Sequence, residues 1–105
     1  MGKRYSKWLG AYVYDMTEEQ EKYLIDNGLE IQKHELIKYD DGIVRDIPHS
    51  IIKDNNKGAN LCYDRKENKF YIQLNPKRIN DAEELIKDLN KYNKMIKVLE
   101  VMGRK

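Results

Sequence analysis

Residues 80–102 read NDAEELIKDLNKYNKMIKVLEVM. Within this stretch Ala82, Leu85, Leu89, Tyr92, Ile96 and Leu99 recur at alternating steps of three and four, one continuous apolar stripe along a helix of about 20 residues. Asn80 or Asp81 stands where a cap is needed, and Glu83 or Glu84 where a capping box closes. Asp81, Glu83 and Glu84 occupy the first turns and Lys87, Lys91, Lys94 and Lys97 the later ones, an order that complements the helix dipole. One stripe is enough to seat the helix on a sheet, so the segments before it decide the class.

Working back, Leu61 and Tyr63 lead into a turn at Asp64–Lys69. Phe70, Ile72 and Leu74 share one face of the returning strand, which Asn75-Pro76 ends. Asn55-Asn56-Lys57-Gly58 is a loop. Pro48–Lys53 reads equally as a helical turn or an edge segment. Asp41-Gly42, between Ile37-Lys38-Tyr39 and Ile43-Val44, has the pattern of a two-residue hairpin turn. Leu29–Tyr39 is extended, with a break in its alternation near His34 that suggests a bulge. Thr17-Glu18-Glu19-Gln20 is a capping box for a short helix ending at Asn27, with Gly28 beyond it. Tyr5–Asp15 reads as one strand with apolar groups on both faces, Leu9, Ala11 and Val13 on one and Trp8, Tyr12 and Tyr14 on the other.

The order strand, helix, antiparallel strands, helix specifies an α+β fold. The expectation is an antiparallel sheet of about four to five strands, with the short N-terminal helix and the long C-terminal helix packed on one face. No repeat or linker divides residues 1–105, so they read as a single domain.

Composition narrows the function classes. The charged fraction is 36%, yet 20 Lys and Arg face 18 Asp and Glu. That balance argues against a basic nucleic-acid coat and against an acidic mimic of DNA, while leaving room for a local basic patch. The single cysteine, Cys62, excludes a disulfide within one chain and fits a reducing, cytoplasmic setting. The apolar runs are too short to span a membrane or to read as a signal peptide. Met1-Gly2-Lys3-Arg4-Tyr5-Ser6-Lys7 matches an N-myristoylation pattern, but the pattern is short and needs a eukaryotic acyltransferase, and an ordinary polar N-terminus leading into a strand is the favoured reading. Abundant Lys, Ile, Asn and Tyr suggest AT-rich coding, as in a mobile genetic element such as a phage or plasmid.

Catalytic chemistry is not specified. Cys62 lacks a base brought to it by sequence, His34 and His49 lack zinc-type spacing, and Gly42 and Gly58 are isolated turn glycines. Asp40, Asp41 and Asp46 read as turn residues. No catalytic residue, metal or cofactor is assigned, and an enzyme ranks below a binding module.

Basic residues carry the leading expectation. Arg65, Lys66 and Lys69 crown the second hairpin, Lys77 and Arg78 follow its second strand, and Lys3, Arg4 and Lys7 open the first. If these converge, the hairpin tracks phosphates while Tyr63 or Tyr71 stacks. This describes a small nucleic-acid-binding, chiefly DNA-binding, accessory or regulatory protein. The alternative is an inhibitor or adaptor that binds another protein through aromatics, of which eight are tyrosine. A continuous basic face would favour the first and an exposed aromatic patch of mixed charge the second. Met95, Val98, Val101 and Met102 lie off the apolar stripe, and their exposure would favour a two-fold homodimer through the last helix.

Overall fold

A computed structural model describes residues 3–7 and 10–103, excepting the side chains of 47 and 48. Its elements are β1 (Lys3–Ser6), β2 (Ala11–Tyr14), α1 (Glu18–Asp26), β3 (Ile31–Lys38), β4 (Val44–Ile52), β5 (Ala59–Asp64), β6 (Lys69–Leu74), a 3-10 turn (Pro76–Arg78) and α2 (Ala82–Gly103). The class is α+β. Among the described residues the strands pair as three antiparallel ladders, β1–β2, β3–β4 and β5–β6, in place of one larger sheet. The reason is local: each strand finds its partner across a short turn, and the hairpins then meet mainly through side chains.

The expected strand over residues 5–15 is a hairpin. Ser6 stands opposite Ala11 and Lys3 opposite Tyr14. Gly10, at φ +64°, reverses the chain where a β-carbon would be strained, and its N–H donates to the Ser6 carbonyl at 2.8 Å. Trp8 and Leu9, on which part of the one-strand reading fell, lie outside the described residues, as do Met1 and Gly2 of the acylation pattern.

Other local signals appear where the residues indicate. Thr17 Oγ1 accepts from the Gln20 N–H at 3.1 Å, and the Thr17 N–H donates to Gln20 Oε1 at 2.9 Å, a reciprocal capping box. The bulge falls between Gln32 and His34, whose partners are Ile51 and Pro48. Pro48 cannot donate to the ladder, so the irregularity beside it leaves the remaining pairs in place. The segment 48–53 is thereby mostly strand. The Asp41-Gly42 turn is one residue longer than expected. The Gly42 N–H donates to the Tyr39 carbonyl, the Tyr39 N–H to the Ile43 carbonyl, and Gly42 has φ +80°. That is the three-residue loop with glycine in its left-handed position.

The helix α2 starts as read, with Asp81 Oδ1 accepting from the Glu83 N–H at 2.9 Å. Its apolar face packs on one face of β5–β6, where Tyr92, Met95 and Leu99 meet Ala59, Leu61 and Phe70, with Leu24 of α1 and Met16 completing the core. Gln20 ties the two helices, its Nε2 donating to the Leu99 carbonyl at 3.0 Å. Met95 is 2% exposed, so it belongs to the core and not to a free patch. At 100° per residue it lies about 60° from Tyr92 and about 40° from Leu99, inside the buried arc. Val98 and Val101 are exposed and Met102 is half-buried.

Candidate nucleic-acid interface

Strand alternation makes the β1–β2 hairpin two-faced. Arg4, Ser6, Ala11 and Val13 share the inner face, where Ser6 and Val13 are buried. Lys3, Tyr5, Tyr12 and Tyr14 share the outer face. Tyr5 is 54% exposed and Tyr12 61%. Their rings meet edge to face, with centroids 5.3 Å apart. Lys3 Nζ lies 5.5 Å from the Tyr12 ring centre and 5.8 Å from that of Tyr14, within cation–π range. Among the described residues of the hairpin, this face presents aromatic rings and one cation and carries no carboxylate.

A charged hub holds this hairpin against the others. Arg4 Nε donates to Asp15 Oδ2 at 2.7 Å, and Arg65 Nη2 donates to Asp15 Oδ1 at 3.1 Å. Arg65 also contacts His49 Nδ1, and His49 Nε2 stands 3.9 Å from Glu35 Oε2. The Tyr14 N–H donates to the Arg65 carbonyl at 2.8 Å, which seats the end of β2 on the β5–β6 crown. Burial pushes the Asp15 carboxyl upward, but hydrogen bonds and charge from Arg4 and Arg65 outweigh it, so its pKa lies below the ordinary value. Burial, then the Arg65 charge, lowers the pKa of His49 against the opposing pull of Glu35.

The five basic residues expected to act together are divided by this arrangement. Arg65 has a side chain only 11% exposed and is committed to Asp15 and His49. Lys66 and Lys69 are exposed on the crown, where Asp64 Oδ1 accepts from the Lys66 N–H at 2.9 Å and shapes the turn. Lys77 and Arg78 lie at the other end of β6. A six-residue strand puts them roughly 20 Å or more from the crown. There Arg78 donates to Asn56 Oδ1 and shares a pocket with Asp81, Glu84 and Asp88. Three carboxylates disfavour a phosphate at that end.

Of the two tyrosines singled out for stacking, Tyr63 is engaged. Its hydroxyl donates to Asn68 Oδ1 at 2.8 Å, its ring packs 4.8 Å from that of Phe70, and burial pushes its pKa up to about 12. Tyr71 is half exposed. The exposed rings Tyr5 and Tyr12 were not singled out in the sequence. Gly10 between two aromatic segments was the available signal, since a glycine inside a strand pattern marks a turn or bulge.

Cys62 makes long contacts to the Asn60 carbonyl at 3.9 Å and Gln73 Oε1 at 3.7 Å, and it stands opposite Tyr71, with which it interacts. Burial raises the pKa of its thiol, which disfavours the nucleophilic thiolate. His34 pairs with Asp46 at 2.9 Å. Among the described residues, no group of metal-ligating side chains converges and no helix is long and apolar enough to cross a membrane. No protein-family model, curated protein or solved structure matches the chain.

Proposed function

We propose that the protein is a nucleic-acid-binding accessory protein that holds single strands on the outer face of its N-terminal hairpin. The observation carrying this reading is the pair of exposed rings, Tyr5 and Tyr12, flanked by Lys3 on a face without carboxylates. Aromatic rings on a strand stack unpaired bases, while lysines neutralise phosphates. Lys66 extends the basic surface, because the residue before it accepts the Tyr14 N–H. Stacking on such a platform requires bases free of a duplex, so single strands are preferred over double-stranded DNA.

Fluorescence anisotropy with labelled single-stranded and duplex oligonucleotides at low salt tests the reading. Single strands are expected to bind more tightly, with affinity falling as salt rises. No binding at low salt, or equal binding by a variant with Tyr5→Ala and Tyr12→Ala, would overturn it.

A protein partner is the second reading, favoured by the β3–β4 hairpin. Leu36, Ile43 and Val44 are exposed there. The radius of gyration, 15.1 Å, exceeds the roughly 13 Å of a compact chain this long. Self-association remains part of the proposal in narrower form, through Val98, Val101 and Met102 without Met95. Light scattering that finds a monomer at high micromolar concentration removes it. A folded monomer produced by Val98→Asp with Met102→Asp, from a dimeric parent, supports it.

A further inference from the structure

We propose that the groove between β4 and the β5–β6 hairpin receives one unstacked guanine base, read by Glu35. The proposal rests on the nucleic-acid reading above and gives it a base preference. The groove has a volume of about 420 Å³, within the range of small-ligand pockets. Buried His49 and the held Arg65 line it, with Ile51 and Tyr63 beside them and half-exposed Tyr71 available to stack on an inserted ring.

Charge decides what enters. Glu35 and Asp64 both line the groove, opposed by Lys66 and by an Arg65 already matched to Asp15. A phosphate would meet two carboxylates, whereas a neutral base meets acceptors for its N–H groups. The Glu35 side chain is 34% exposed, and its nearest charge partner is His49 Nε2 at 3.9 Å, beyond hydrogen-bond range. No hydrogen bond from a described residue reaches its carboxylate. Its acceptor oxygens are therefore open to a ligand, and two adjacent N–H groups can engage them together.

Guanine supplies such a pair on its pairing edge, at N1 and the 2-amino group. Uracil offers one N–H between two carbonyl oxygens, which would point lone pairs at the carboxylate. Adenine and cytosine offer one amino group beside a ring acceptor. Lys66, at the groove and next to the residue that holds Tyr14, links the platform to the pocket.

The test compares a short oligouridylate with the same oligomer carrying one central guanosine or one central inosine, by anisotropy at low salt. Guanosine is expected to tighten binding on the order of tenfold, and inosine, which lacks the 2-amino group, to lose most of that gain. Glu35→Gln is expected to bring the guanosine-to-uridine affinity ratio toward one, whereas Tyr12→Ala weakens both oligomers in parallel. Equal binding of guanosine and uridine oligomers, or of guanosine and inosine oligomers, by the unmodified protein overturns the pocket alone. An oligouridylate that does not bind at low salt overturns the platform reading, and the pocket falls with it.

Discussion

The two ends of the β5–β6 hairpin carry similar basic residues in opposite surroundings. At the crown, Arg65 turns inward to Asp15 and His49 and joins three hairpins, leaving Lys66 and Lys69 exposed. At the far end, Arg78 shares a pocket with Asp81, Glu84 and Asp88 of the acidic first turns of α2, where Lys57 already pairs with Glu84 at 3.5 Å, and Lys77 precedes it in the chain. A cluster of cations in a sequence is therefore not a patch. One of the five is structural, two are exposed at the crown, and two lie a strand's length away, where Arg78 has three carboxylates beside it.

The largest effect expected from this contrast is on stability. Arg65→Met strips Asp15 and His49 of their shared partner. Breaking a buried ionic contact costs several kcal/mol, and the partial exposure of Asp15 reduces that to about 2–3 kcal/mol. Arg78→Met at the exposed end should change stability by less than about 0.5 kcal/mol. Urea denaturation of both variants measures the difference, and equal midpoints would erase the distinction between the ends.

The next effect is on binding. Removing a stacking ring by Tyr5→Ala or Tyr12→Ala should weaken single-strand affinity by about 1–3 kcal/mol per stacked base. Lys77→Ala with Arg78→Ala should leave affinity within about twofold, because neither touches the platform. An anisotropy series in which the Lys77 and Arg78 pair matters more than the tyrosines would reverse the comparison.

A smaller effect sharpens the role of the crown. Lys66→Ala and Lys69→Ala should each reduce the slope of log affinity against log salt by up to about 0.7, the counterion contribution of one single-strand phosphate contact. A slope unchanged in the double variant would confine binding to the N-terminal hairpin.

The mildest effect comes from pH. His49 has a folded pKa below its ordinary value of 6.5, so the unfolded chain takes up the proton first. Its contribution is present above that ordinary value and is lost as pH falls toward the lower folded one. Asp15 behaves in the same sense in the acid range below its ordinary 3.8. Denaturation midpoints should therefore drop as pH falls below the ordinary histidine value of 6.5, and His49→Gln should flatten that fall while leaving the more acid one.

What could be read from the chain alone was what a few neighbouring residues settle among themselves. The Thr17–Gln20 box, the Asp81 start of α2, the bulge at His34 and the hairpin at Asp64–Lys69 depend on hydrogen bonds and alternation within one element, so their signatures are local. The Tyr5–Asp15 strand was misread because alternation continues through Gly10, and only the pairing of Ser6 with Ala11 shows the reversal. Tertiary structure alone decided that Arg65 meets Asp15, fifty positions away, and that Met95 enters the core. It also decided that Tyr5 and Tyr12 stay uncovered. A backbone turn is selected by the chemistry of adjacent residues. The burial of a methionine or the partner of an arginine is selected by whichever distant side chains the packed hairpins and helices bring alongside it.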